Sequence, residues 1–532
     1  MTDAYPLEVL VALGLAVLGL TLLARTLRVT PPVVLLLGGV ALAFVVPPLA
    51  DVQLPPEVVL LLFLPALLYW EALNTSLREI RSNLRAVLFD AVLLVLATAG
   101  VVAVLGHALG LSWPVAWILG AVVAPTDATA VAAIARRLPR RQLTTLRAES
   151  LINDGTALAL FAIAVDVATG AVAFGWLGAV GGFVLSYAGG VVAGLVVAWL
   201  ASRVRRILHD PLLDNTVSVL TPFVAFLIAE EVHASGVLAV VVSGLAMSQI
   251  GPLLIAAQTR LRARAFWQVS TFLLNGSLFV LVGLQLRGAV EGLVTTSVAE
   301  AVAAALLVSL AVIGTRLAWM YTVPYLVRVV DRRPAQRARR LGARHRFPIA
   351  WSGFRGGISL AAALAVPPSI PGRDLIVVVT FGVILVTLLL HGLTLPAVLR
   401  WARLPEDHDV AEERRLAEQT AVEAALAALP AAVERLHVPA HVADRVRDDF
   451  EQKLADLEAA ADEDADDPPD GTAAVRSDWQ AYRVLKAALI ADKRAAVVRL
   501  RDARVIDDIV LRSVEARLDA EEMRLATPAD PE

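Results

Sequence analysis

The sequence predicts an all-α polytopic membrane protein, with about thirteen transmembrane helices followed by a helical cytosolic tail. Three observations predict it. The 532 residues are 58% hydrophobic and only 18% charged, with a mean hydropathy of +0.69. Up to about residue 400 the apolar residues fall in successive runs near twenty residues long, the length at which a helix crosses a hydrocarbon core of about 30 Å. Beyond Pro405 the runs stop and the chain turns polar, alanine-rich and charged. Split at Arg403, the chain has 30 basic and 19 acidic residues before the boundary and 17 basic and 31 acidic residues after it, so the formal net charge of -3 hides two unlike parts. The expected domains are a transmembrane domain at 1–403 and a cytosolic C-terminal domain at 404–532. There is no cysteine, which excludes disulfides and thiolate metal sites.

The expected spans are 7–24, 31–49, 57–73, 86–107, 112–135, 146–168, 174–201, 213–232, 234–250, 266–286, 295–327, 348–366 and 374–400. The first follows Asp3 and Glu8 rather than a basic stretch and is too long for a signal-peptide core, so it reads as an uncleaved span. The connections alternate in charge. One set carries Arg25 and Arg28; Arg78, Arg81 and Arg85; Arg136, Arg137, Arg140, Arg141 and Arg147; Arg203, Arg205 and Arg206; Arg260, Arg262 and Arg264; and an arginine-dense loop from Arg328 to Arg346. The other set holds only Arg287 and Arg373. Positive residues in short loops stay cytoplasmic, which places the amino terminus outside and the carboxyl terminus inside, as an odd number of spans requires.

Two spans are interrupted. The fifth contains Ala124-Pro125-Thr126-Asp127, where Pro125 removes a backbone donor, and the twelfth is loosened at Gly353, Gly356 and Gly357. With the first span set aside as extra, the breaks fall fourth among spans 2 to 7 and fifth among spans 8 to 13, one rank apart. Unwound backbone at membrane depth is tolerated where it is buried in protein or lines a cavity. Paired discontinuous helices within inverted repeats are a transporter feature. Taken singly, either break also fits a proline kink or a glycine-rich helix contact. In the tail, helices are expected at 408–460 and 474–525, separated by a flexible acidic linker at 462–470. A self-associating or regulatory accessory domain and a plain solvated tail fit that pattern equally.

The most informative stretch runs from Arg147 to Phe161, because it carries carboxylates into an otherwise lipid-spanning helix. A charged side chain at the bilayer centre costs about 2.5–3.5 kcal/mol on insertion scales, so it marks a functional site by default. Glu149 and Asn153 are i,i+4 neighbours, as are Ser150 and Asp154, so the four share one helix face. With Arg147 at the membrane surface, Asp154 lies about 10 Å deep at 1.5 Å per residue. A buried polar cluster that glues helices together is the alternative.

These residues resemble a known family. Ala148-Glu-Ser-Leu-Ile-Asn-Asp-Gly155, with Ala124-Pro-Thr-Asp-Ala-Thr-Ala-Val131 before it and Gly353-Phe-Arg-Gly-Gly-Ile-Ser-Leu360 after it, is similar to the cation/proton antiporter-1 family of sodium/proton antiporters and exchangers. Supporting stretches are Phe63-Leu64-Pro65 with Glu71, Glu230 to Ala239, and Asn275 to Leu284, and the likeness covers about residues 7–400. Here Ala128 follows Asp127, where the family pattern often has proline. The resemblance implies that Asp154 is the shared cation- and proton-binding carboxylate, and that Ser150 and the Thr126 carbonyl are ligands of a monovalent cation. It implies that Glu71 completes the site and that Asn153 is structural; Asp127, read by itself, neutralises helix ends or binds the cation indirectly. It further implies that Arg355 pairs with Glu149, that the fifth and twelfth spans cross, and that the protein is a homodimer. Arg316, His233 and His391 read as helix contacts or interface residues.

The chemistry agrees with these implications, since a hard monovalent cation prefers oxygen ligands. A carboxylate holds a cation or a proton, not both; burial and a nearby cation act on its proton affinity in opposite directions, so the two compete. The expected function is electroneutral exchange of sodium, or lithium, for protons by alternating access across the plasma membrane, serving pH homeostasis. The expectation includes no enzymatic activity, no cofactor, no nucleic-acid partner, and the lipid bilayer as surroundings. A potassium/proton antiporter, a cation channel and an intramembrane aspartyl enzyme are the alternatives. The last lacks the glycine-aspartate signature of such proteases.

Overall fold

The computed structural model describes the chain apart from residues 1–4, 28, 47–58, 83, 128–137, 172–175, 209, 294–295, 331–341, 405–408, 460–475 and 527–532. The acidic linker at 462–470, Arg28, Arg136, Arg137, Ala128 to Val131 and most of the arginine-dense loop lie outside the described residues. Among the described residues all regular structure is helical. The first half comprises α1 (Tyr5–Leu27), α2 (Pro31–Val45), α3 (Leu64–Asn74), α4 (Leu77–Ser82), α5 (Leu84–Leu88), α6 (Val95–Ala108), α7 (Trp113–Val123), α8 (Arg140–Ala168) and α9 (Trp176–Ile207). Then follow α10 (Pro211–Glu231), α11 (Gly236–Leu254), α12 (Ala257–Glu291), α13 (Val298–Val330), α14 (Ala343–Trp351), α15 (Gly357–Leu364) and α16 (Arg373–Ala402). The tail holds α17 (Asp409–Leu436), α18 (Ala440–Ala459), α19 (Arg476–Asp502) and α20 (Asp508–Ala526). Among the described residues eight helical stretches are long and apolar enough to cross a membrane, and four shorter apolar helices accompany them.

Local chemistry sets the boundaries. α10 starts where Asp210 accepts from the Leu212 amide at 2.7 Å with Pro211 in the first turn, and α11 starts where Ser235 accepts from the Leu238 amide at 3.2 Å. Both are N-caps of the expected residue types. Gly372 precedes α16 at φ +82, a conformation glycine adopts without strain. Two π-helical turns, Val59–Phe63 before α3 and Phe89–Leu94 before α6, had no counterpart in the sequence reading.

The membrane helices divide into two bundles by their contacts. The first gathers α1, α2, α3, α10, α11 and α12, with α9 packed on α10 and α11; the second gathers α6, α7, α8, α13 and α16 with the pair α14–α15. In the first, α2 meets α12 at Gly39 and Gly283, where a Cβ on either glycine would collide with the other helix's backbone. Small residues permit this approach. The second has its own core, from Val115, Val122, Val308, Val312, Ile376 and Val383.

The two tail helices expected at 408–460 and 474–525 are four. His437 (φ 53) ends α17 ahead of Pro439, and Arg504 (φ 62) turns the chain between α19 and α20. At each turn the following amides bond back to the last helical turn, Val438 to the Val433 carbonyl and Val505 to the Leu500 carbonyl. A left-handed residue after a helix closes its free carbonyls this way, and Pro439 then prevents resumption across the gap. The four helices enclose two apolar cores, one around Ile490, Val497 and Leu511 and one around Leu429, Phe450 and Leu489. They dock on the first bundle, α20 against α12 and α19 against α11. Ser76 Oγ donates to Asp507 Oδ1 at 2.5 Å, Arg512 donates to the Asn74 carbonyl at 2.7 Å, and Arg260 Nε donates to Asp519 Oδ2 at 3.0 Å.

Candidate functional site

The site grows from α8. Glu149, Ser150, Asn153 and Asp154 are 2%, 3%, 1% and 2% exposed, so the whole polar face is enclosed. It is stitched to the break after α7. Ser150 Oγ donates to the Thr126 carbonyl at 2.8 Å, and Asn153 Nδ2 donates to Thr126 Oγ1 at 2.7 Å. These contacts exist because α7 stops at Val123 and residues 124–127 run unwound, freeing backbone oxygens to face α8.

A second break meets the first. α14 ends at Trp351, residues 352–356 are unwound, and α15 begins at Gly357. The Asp127 amide donates to the Phe354 carbonyl at 2.8 Å, and the Asp127 carboxylate lies against Gly356 so closely that a Cβ there would collide with it. The two interrupted spans therefore cross at their breaks. A carboxylate at the start of α15 also opposes the positive end of that helix.

Between the bundles lies a cavity of about 220 Å³. Glu71, Thr126, Asp127, Ser150 and Asp154 all border it, with Ser359 beside them. Glu71, Thr271 and Asn275 approach from the first bundle and the rest from the second. Among the described residues the Asp154 carboxylate accepts no hydrogen bond. It is near enough to Glu71 and Asp127 for the three carboxylates to interact electrostatically, and Arg147 acts on Glu71. Asn153, Glu149 and Arg355 border a separate, tight crevice, together with Asp90 and Arg316.

The expected pairing of Arg355 with Glu149 is corrected by that crevice. Glu149 is held by Arg316, with Nη1 to Oε1 at 2.5 Å and Nη2 to Oε2 at 3.3 Å. Arg355 donates instead to the Ala124 carbonyl, and its backbone amide donates to Thr387 Oγ1 at 3.3 Å. The reason is geometric. Arg355 sits in an unwound segment beside the open carbonyl end of α7, whereas Arg316 faces α8 from the middle of α13. A two-pronged guanidinium matches the carboxylate edge, and a single prong suffices for a carbonyl. Arg316 makes the helix contact expected of it, although its pairing with Glu149 was not foreseen. Asp90 is the residue that sequence reasoning missed, and the signal was present, since it is a charge inside an apolar run. Asp90 lies in the π-helical turn before α6 and accepts from Trp319 Nε1 at 2.8 Å. His391 makes the helix contact expected of it, edge-on to Trp351 and Phe354. Glu230 accepts from the Gly236 amide at 3.3 Å.

Residues 13–401 match the family model described as sodium/hydrogen exchanger, transmembrane. A protein of Mycobacterium tuberculosis described as an uncharacterized Na(+)/H(+) exchanger is 46% identical over 536 residues, covering 99% of this chain and 98% of its own. The Na(+)/H(+) antiporter ApNhaP of Aphanothece halophytica is 31% identical over 423 residues, covering 79% and 78%. The solved sodium proton antiporter MjNhaP1 of Methanocaldococcus jannaschii superposes with a TM-score of 0.58 at 17% identity, over 75% of this chain and 100% of that one, which is a likeness of fold.

Proposed function

The chain belongs to the sodium/hydrogen exchanger family, and on that premise we propose that it exchanges sodium for protons by alternating access, with Asp154 holding either the cation or the proton. The observation that carries this reading is the cavity at the seam between the bundles, where Asp154 meets Ser150, Thr126, Asp127 and Glu71. Ser150 Oγ donates to the Thr126 carbonyl, which sets both oxygens side by side at the cavity wall, and a hydroxyl and a carbonyl oxygen are each ligands suited to a hard cation. The Thr126 carbonyl has a second lone pair for the same purpose. Sodium arriving at Asp154 displaces the proton; the bundle carrying Asp154 then moves against the one carrying Glu71, and release on the far side lets a proton return. Glu149 with Arg316, and Arg355 with the end of α7, compensate buried charge around the crossing without entering the cavity.

The same reading places a transporter domain at 1–403 and a helical cytosolic domain at 404–532, as a homodimer in the plasma membrane. The arginine asymmetry of the connections supports an external amino terminus and a cytoplasmic carboxyl terminus. The exchange is electroneutral and contributes to pH homeostasis. The test is proton flux in proteoliposomes of the purified chain, driven by sodium, lithium or potassium gradients across a range of pH. Saturable sodium-driven proton flux is expected, and sustained conductive current in its place would overturn the reading.

A further inference from the structure

Serines in the membrane helices of this chain ordinarily return their hydroxyl proton to their own helix. Ser243 Oγ donates to the Val240 carbonyl at 2.8 Å and Ser309 Oγ to the Ala305 carbonyl at 2.6 Å, the back-bonding usual for serine within a helix. Ser359 departs from this. It stands in the first turn of α15, where the residue four positions back, Arg355, belongs to the unwound segment. The residue is 1% exposed, and its Oγ is buried with no hydrogen-bond partner among the described residues. Buried hydroxyls are rarely left so in native proteins, and an unsatisfied one calls for an explanation. Ser359 borders the cavity that holds Asp154, Ser150 and Thr126.

We propose that the Ser359 hydroxyl is a further ligand of the transported cation and helps to set which cation is preferred. The inference rests on the reading of the cavity given above. A monovalent cation that sheds its water needs several oxygen ligands, and a neutral hydroxyl adds one without adding charge, so the charge balance at Asp154 is untouched. Its worth depends on the ion's radius, because an oxygen fixed in the crossing cannot follow small and large ions equally well. Ser359 is carried by the same bundle as Asp154, whereas Asn275 reaches the cavity from the other bundle. Ser359 therefore accompanies the cation through the whole cycle and acts on binding from both sides of the membrane. Asn275 meets it in one orientation.

The experiment is sodium-, lithium- and potassium-driven proton flux in proteoliposomes of the full chain, together with cation-dependent thermal protection in detergent. Ser359→Ala is expected to raise the sodium KM by roughly three- to tenfold, the factor carried by one contact of hydrogen-bond strength. The shift should differ among the three cations at a retained maximal rate. Ser359→Thr, which keeps the oxygen, is expected to restore the sodium constant. Ser359→Cys, near in volume but with a soft sulfur, is expected to behave as Ser359→Ala toward sodium. Thermal protection should show the same displacement of the sodium midpoint, and it serves as the readout for any variant whose flux is too low to fit. A sodium KM unchanged in Ser359→Ala, a common shift for all three cations, or a loss confined to maximal rate and melting temperature would overturn the proposal. Asp154→Asn runs alongside. Exchange surviving in Asp154→Asn overturns the cavity reading itself, whereas its loss beside unchanged Ser359→Ala constants removes only the serine.

Discussion

Asp154 is the one acid of α8 that faces the cavity, and its neighbour Glu149 is committed elsewhere by a two-pronged ion pair. Asp154→Asn is therefore expected to abolish sodium-driven proton flux while leaving the protein folded, because an amide cannot trade a proton for a cation; near-normal exchange by the folded variant would remove Asp154 from the mechanism. Glu149 supports a different expectation. Glu149→Ala and Arg316→Ala should each destabilise by about 3–5 kcal/mol, since each strands a buried charge, and the double variant should lose much less than their sum. A thermal double-mutant cycle reads the coupling, and fully additive losses would mean that the pair contributes nothing jointly. That an arginine inside the membrane needs an oxygen partner is an argument about cost. Partner choice depends on which helix faces which, and that is set by packing among residues far apart in the chain. So the polar face of α8 was legible from its i,i+4 spacing, and the exchange of roles between Arg316 and Arg355 was not.

At the scale of elements, apolar length pointed to the long apolar helices because the bilayer imposes it, and Pro125 and the glycines at 353, 356 and 357 located the two breaks because their backbone chemistry is local. Which span faces which was less accessible, since charge and hydropathy do not report it: the second expected span packs on the tenth as α2 on α12, and the third on the ninth as α3 on α11. The tail shows the opposite limit, as its turns rest on single residues in left-handed conformation inside polar helical sequence. Within it, Lys493 on α19 lies 4.3 Å from the centre of the Phe450 ring and 3.2 Å from Glu521 Oε1. Burial pushes the Lys493 ammonium down to about 8. Burial also works against the Glu521 carboxylate, but the charges of Lys493, Lys453 and Lys486 with the Lys493 hydrogen bond together outweigh it and hold that group below its usual range. Glu521 is then ionised in folded and unfolded chains alike above pH 7 and adds no slope there. Between pH about 8 and about 10.4 the unfolded chain binds the Lys493 proton and the folded one does not, so stability of the tail should rise with pH, on the order of 1.4 kcal/mol per unit. Hydrogen exchange of α18 to α20 in the full chain measures this, and Lys493→Met should flatten the dependence; a slope retained in that variant would assign it to another group.

For the whole molecule, the cavity at the seam bears on charge movement. One carboxylate that crosses with sodium and returns with a proton has the same net charge both ways, so membrane potential does no net work, whereas one uncompensated charge would be worth about 2.3 kcal/mol per 100 mV. Glu71 and Asp127 share the cavity and are the groups that could add a second proton. The reversal point of sodium-driven proton flux is expected to stay fixed as the potential is clamped at several values with potassium and valinomycin, in a preparation shown not to carry potassium; a reversal point that moves with potential would bring a second carboxylate into the stoichiometry. The docking of the tail has a consequence of its own. Asp507, Arg512 and Asp519 fasten it to the ends of α3 and α12, and Arg501 Nη1 donates to the Gln249 carbonyl of α11 at 3.1 Å, so these fastenings fall on the bundle opposite Asp154. The tail is thus a fiducial fixed to the bundle that does not hold Asp154, the half expected to stay still under the proposed mechanism. Spin labels on α20 and α11 should keep one separation through turnover, while labels on α20 and α16 should report two, and the carboxyl-terminal helices become a ruler for motion inside the membrane.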